Sequence, residues 1–220
     1  SLYNYGMQPL AYSVARAKNE GVGWYRTGEN ICYYRLRNTR FYTFTFTFVA
    51  PEDMDTMFFA YCYPFTYTRQ QRELKKLSES PNGKRYMAKK ILCKTLQGRD
   101  VDIVQISDSP NDESANRGKM IVMLSARCHP GETNSSWMFK GALEFLLSDD
   151  PIAVKLRKRF VFLCVPMLNP DGVFLGNYRC SFAGVDLNRN WRTPSKSRVP
   201  VVRYLKHLIL MLSKGKRVLL

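Results

Sequence analysis

The segment IVMLSARCHPGETNSSW occupies residues 121–137. Ile121 to Leu124 form an apolar run of the kind that makes a buried strand, small residues end it, and His129-Pro130-Gly131-Glu132 then leads into the helix-like MFKGALEFLL. A strand that delivers His129 and Glu132 to the first turn of a helix is suited to holding half a metal site. Zinc accepts imidazole nitrogen and carboxylate oxygen at about 2.0–2.2 Å, and a catalytic zinc keeps three protein ligands and one open position. A helix turn beginning between the two residues lets both side chains reach one ion. Pro130 suits the first helical position, where a missing N–H costs nothing. The H-x-x-E spacing alone recurs by chance in helices. The plain alternative is that Glu132 only complements a helix N-terminus, with Thr133 or Asn134 as the cap.

Around this corner the pattern alternates. A hairpin is expected from Ile91–Leu96 and Val101–Ile106 about the turn Gln97-Gly98-Arg99-Asp100, followed by a polar surface loop over 107–119. Strand 121–125, helix 134–147, strand 160–166, a long loop, helix 199–213 and strand 217–220 come next. Such alternation predicts an α/β domain, a mixed sheet with flanking helices. In the last helix Val201, Val202, Leu205, Leu208, Ile209 and Leu212 share one arc, which leaves His207 on the solvent side.

Upstream, a short amphipathic helix is expected within residues 1–20, then strands. Ile31–Leu36 is one strand, and FYTFTFTF (Phe41–Phe48) is the clearest period-2 run, with Tyr42, Phe44, Phe46 and Phe48 on one face. Thr56–Tyr63 reads as its partner. These make a small antiparallel β-unit, and an aromatic stripe of this kind reads as core. A helix over Thr66–Leu77 ends in the cluster Ser78–Gly83, the best candidate linker.

The 220 residues carry 34 Lys and Arg against 18 Asp and Glu, a net charge of +16. The excess is uneven, because residues 151–220 hold fourteen basic and two acidic side chains. Such a field draws anionic partners. No apolar run approaches the roughly 18 residues of a membrane span. Cys32, Cys62, Cys93, Cys128, Cys164 and Cys180 are scattered and form no C-x-x-C pair, so reduced thiols and a cytoplasmic location are expected.

Two further patches carry chemistry: the turn Asn169-Pro170-Asp171-Gly172, and the loop GNYRCSFAGVDLNRNW over 176–191 with Arg179, Asn188 and Arg189. Arg grips a carboxylate in a bidentate fork and stabilises a developing oxyanion. Composition alone favours a solvated basic loop.

In this order, IVMLSARCHPGETNSSW, VPMLNPDGV and GNYRCSFAGVDLNRNW closely resemble the zinc carboxypeptidases of the carboxypeptidase A superfamily, and more narrowly the cytosolic carboxypeptidases, which trim glutamates from tubulin and other acidic tails. YNYGMQPLAYSV, GENICYY, YTFTFTF and FAYCYPFTYT resemble the antiparallel β-sandwich domain that precedes the catalytic domain in that family. The resemblance is closest to the members that shorten long polyglutamate side chains. It implies a partial β-sandwich-like domain over residues 1–65 and the N-terminal part of a catalytic domain over 66–220. It implies Zn2+ as cofactor with His129 and Glu132 as the first two metal ligands, Arg179 as the arginine that polarises the scissile carbonyl, and Asn188 and Arg189 as the pair that binds the terminal carboxylate. Acidic polyglutamylated tails, tubulin among them, are the implied partners, in preference to nucleic acid and with no membrane partner.

The family's third ligand, a His in an aspartate-x-His-Gly-His segment, has no counterpart in the chain, and neither has its downstream Glu base. The expectation is therefore a truncated carboxypeptidase, inactive by itself and a poor binder of zinc. Two rival readings are a non-catalytic module whose basic half holds acidic tails or nucleic acid, and a related zinc deacylase of N-acyl amino acids. The sandwich-like front half and the NSSW continuation argue against the deacylase.

Overall fold

The structure, a computed structural model, describes residues 1–214 and 218–219. The chain divides into two compact units, Ser1–Pro64 and Phe65–Leu220.

In the first unit, β1 (Leu10–Ser13), α1 (Val14–Glu20), β2 (Tyr25–Arg26), β3 (Glu29–Arg35), β4 (Tyr42–Thr47) and β5 (Met57–Ala60) form two small antiparallel sheets, ordered β2-β1-β5 and β3-β4. The strand expected to partner β4 pairs elsewhere. β5 lies against β1, with Leu10 opposite Ala60 and Tyr12 opposite Phe58, while β4 pairs with β3. The cause is β1, a four-residue strand too short to stand out in sequence, whose Leu10 and Ala11 are fully buried. Side chains of the β4 aromatic stripe still close the unit. Phe46 and Phe48 meet Phe59 of β5 edge-on, with ring centroids 5.5 and 5.0 Å apart.

The second unit runs α2 (Tyr67–Glu79), α3 (Pro81–Tyr86), β6 (Met87–Lys94), β7 (Asp100–Ile106), α4 (Glu113–Asn116), β8 (Met120–Ser125), α5 (Thr133–Leu146), α6 (Pro151–Arg159), β9 (Phe160–Val165), α7 (Pro170–Leu175), α8 (Pro200–Ser213) and β10 (Val218–Leu219). One mixed sheet, ordered β10-β8-β9-β7-β6, carries them. β10, β8 and β9 are parallel, whereas β7 is antiparallel to β9 and β6 to β7.

β9 shows why both faces need helices. Phe162 and Cys164 enter one core with Leu74 of α2 and Phe139 and Leu143 of α5. Val161, Leu163 and Val165 enter the other, with Val201 and Leu205 of α8. A strand buried on both faces reads as a continuous apolar run, and FVFLCV is one.

Several expectations change in detail. Ser78–Gly83 is not a linker, because Ser80 caps α3 by accepting the Gly83 N–H at 3.0 Å and Pro81 takes the first helical turn. α6 and α7 were not expected, and the Asn169–Gly172 turn is the start of α7, capped by Asn169. Of the strand expected over 217–220, Val218 and Leu219 pair with Ile121 and Val122, and Arg217 and Leu220 lie outside the described residues. Among the described residues no helix is long and apolar enough to cross a membrane.

The topology decides where chemistry can sit. β8 and β9 are parallel neighbours, so the loops after Ser125 and after Val165 leave from the same end of the sheet. In open α/β sheets that end is where ligands bind.

Candidate metal centre

After β8 the chain does not enter a helix at Pro130. Pro130 and Gly131 form a turn, closed by the Glu132 N–H donating to the His129 carbonyl at 3.2 Å, and α5 begins at Thr133. The tight turn replaces the expected first helical turn and still sets His129 and Glu132 side by side. His129 Nδ1 lies 3.2 Å from Glu132 Oε1. Glu132 occupies the N-cap position of α5, yet its side chain makes no capping bond there. Thr133 and Asn134 do not cap α5 either.

Two glycines let the neighbouring loops close on this turn. The Gly131 N–H donates to the Tyr178 carbonyl at 2.7 Å, and a Cβ on Gly131 would stand 2.5 Å from the Tyr178 ring. A Cβ on Gly172 would stand 2.4 Å from the Pro130 ring and 2.8 Å from the Cys180 carbonyl. Segment 178–180 therefore comes close to the backbone of both Gly131 and Gly172, and Gly172 packs on the Pro130 ring.

Asp186, which no motif marks in the sequence, joins the groups. Its Oδ1 lies 3.1 Å from His129 Nε2 and accepts the Asn188 N–H at 2.8 Å, and its Oδ2 accepts from Arg179 Nε at 2.8 Å. Burial pushes the Asp186 carboxyl up, but the Asn188 N–H, His129 and Arg179 together hold it below its ordinary value. The Cys128 thiol is pushed up to about 11, by burial first and by the charges of Asp186 and Glu132 next. Asn188 Oδ1 accepts from Trp191 Nε1 at 3.2 Å. Among the described residues nothing pairs with the Arg189 guanidinium, which is exposed. The only signal for Asp186 in the sequence was its place in VDLNRN, flanked by Val185 and Leu187 and two residues before the Asn-Arg run.

The donor set fits zinc as far as it goes. If the imidazole carries its proton on Nε2, toward Asp186, then Nδ1 turns its lone pair toward a carboxylate oxygen, and two acceptors 3.2 Å apart need a proton or a cation between them. Two ligands at about 2.0–2.2 Å from one tetrahedral ion stand roughly 3.3–3.6 Å apart, close to that spacing. A carboxylate on the far nitrogen of a ligating imidazole is the usual outer support of such a site. Among the described residues no group of three His, Cys, Asp or Glu side chains converges as a metal site. His207 stands exposed on α8.

The sequence profile of the zinc carboxypeptidases matches residues 74–201. The chain belongs to the zinc carboxypeptidase family. Its relatives in that family include human cytosolic carboxypeptidase 1, 44% identical over 99% of the chain and 19% of the relative. Another is zebrafish (Danio rerio) cytosolic carboxypeptidase 2, 43% identical over 99% of the chain and 31% of the relative. The chain thus spans about a fifth to a third of these relatives. Among solved zinc carboxypeptidase-type structures, a metallo-carboxypeptidase from Burkholderia cenocepacia superposes with a TM-score of 0.72, at 26% identity over 94% of the chain and 50% of that protein. One from Pseudomonas aeruginosa, in complex with (2-guanidinoethylmercapto)succinic acid, gives 0.68 at 26% identity over 96% and 50%. The mixed sheet and its flanking helices are those of a carboxypeptidase fold.

Proposed function

We propose that the chain supplies two of three zinc ligands, His129 and Glu132, to a metallocarboxypeptidase that removes glutamates from acidic protein tails such as those of polyglutamylated tubulin. The observation that carries the reading is His129 held between Glu132 and Asp186. Asp186 keeps the proton on Nε2 and leaves Nδ1 for the metal. Zinc, when bound, supplies Lewis acidity and an activated water.

The chain's own side chains hold the substrate. Arg189 and Asn188 fix the terminal carboxylate, which restricts cleavage to the last residue. Arg179, oriented through Nε by Asp186, presents its remaining N–H groups to the scissile carbonyl. In this reading residues 1–65 are part of a β-sandwich-like domain and 66–220 the N-terminal part of the catalytic domain. The location is the cytosol, as the relatives' name has it. By itself the 220-residue chain turns over no substrate, because neither the third ligand nor the general base is contributed by its described residues.

The test is binding of a glutamate decapeptide to the chain by calorimetry, with free and amidated C-termini. The free carboxylate binds more tightly, and Arg189→Ala abolishes the difference. Equal affinity for the two peptides contradicts the assignment of Arg189, and turnover with stoichiometric zinc contradicts the inactivity of the chain.

A further inference from the structure

Two residues before His129, the backbone does something that arginines rarely do. Arg127 has φ +53°, in the left-handed region, and it is 3% exposed. Left-handed backbone at a residue with a long side chain costs energy and persists only where the surroundings enforce it. Burying a guanidinium is costly as well unless its N–H groups are satisfied. Here they are. Nε donates to the Pro130 carbonyl at 2.9 Å, and one terminal nitrogen donates to the Phe65 carbonyl at 3.1 Å and to Ser136 Oγ at 2.8 Å.

The three acceptors explain the geometry. Pro130 lies in the turn between the two metal-ligand candidates, Ser136 in the first turn of α5, and Phe65 in the segment just before α2. One planar fork therefore ties the turn to the helix on which Glu132 abuts. Asn169 adds a second hold from the next strand's loop, donating from Nδ2 to the Cys128 carbonyl at 3.2 Å. His129 and Glu132 then have little freedom to separate.

We propose that Arg127 is the positioning residue of the metal loop. Its guanidinium, and not the backbone turn alone, keeps Nδ1 of His129 and the carboxylate of Glu132 converged on one ion. The proposal rests on the zinc reading above. Arg127 touches neither metal nor substrate and acts through the two residues that do.

The test is a cobalt(II) titration of the 220-residue chain, followed by visible absorption, alongside thermal unfolding of the metal-free form. Arg127→Ala weakens cobalt roughly tenfold or more and alters its spectrum, as loss of an outer support does. Arg127→Lys keeps the charge without the fork and recovers part of the affinity. Arg127→Gly relieves the left-handed backbone but removes the fork, and it resembles Arg127→Ala.

Wild-type affinity and spectrum in Arg127→Ala or Arg127→Gly overturns the proposal, even if the melting temperature falls. Should those variants not fold, Ser136→Ala decides, since it removes one acceptor and leaves the core filled. Weaker cobalt binding supports the proposal and unchanged binding overturns it. A wild-type chain that takes up no cobalt overturns the zinc reading together with the inference.

Discussion

Asp186 Oδ1 stands 3.1 Å from His129 Nε2, so the imidazole is gripped from the side away from Glu132. Because Asp186 also accepts from Arg179 and from the Asn188 N–H, one carboxylate holds together His129, Arg179 and the start of the Asn188-Arg189 pair.

Asp186→Ala is expected to lower cobalt(II) affinity by roughly 10- to 100-fold. Asp186→Asn, whose amide oxygen still accepts from Nε2–H, loses less. The ¹⁵N shifts of the His129 ring report the same change without metal, because the alanine variant no longer holds the proton on Nε2. An unchanged tautomer in Asp186→Ala would contradict the role assigned to Asp186.

Two glycines respond to alanine with opposite signs. Gly131→Ala drives a methyl into the ring and carbonyl of Tyr178, with a predicted cost of about 1–3 kcal/mol. Gly141 sits exposed within α5 with no atom within 4 Å of a would-be Cβ, and Gly141→Ala gains about 0.5–1 kcal/mol from helix propensity. Urea denaturation of the two variants gives both signs directly.

The buried thiols predict a pH dependence. Burial pushes Cys164 up to about 12 and Cys93 up to about 11, from 9.0. A pKa raised on folding stabilises the fold fully below the unfolded value, so this contribution is present to about pH 9 and drains away as pH rises through 11 and 12. At pH 8 a thiol reagent is expected to modify exposed Cys32 quickly and to reach Cys164 only in denaturant. Rapid labelling of Cys164 in the folded chain would mean that β9 is not buried on both faces.

What was legible in the sequence follows from periodicity. The period-2 run of β4, the β6–β7 hairpin, the apolar strands β8 and β9 and the buried stripe of α8 all announce themselves through repeated spacing. β1 has only four residues, and its pairing with β5 depends on contacts 44–50 positions away, which no local pattern contains. α6 and α7 were signalled by Asp150-Pro151 and Asn169-Pro170, each a capping residue followed by proline, but their short length made them look like loop. In the site, a strand running into H-x-x-E, together with the resemblance carried by IVMLSARCHPGETNSSW, singled out His129 and Glu132 as candidates. Asp186 and Arg127 were hidden because their roles come from convergence: one lies 57 positions from the imidazole it meets, and the other matters through a left-handed backbone that arginine does not advertise.

The most direct test of the account is equilibrium zinc binding by the 220-residue chain and three variants, His129→Ala, Glu132→Ala and His207→Ala. The account predicts weak binding by the parent chain, far below that of a three-ligand site, lost in His129→Ala and Glu132→Ala and untouched in His207→Ala. Binding that survives His129→Ala, or that disappears in His207→Ala, would contradict it.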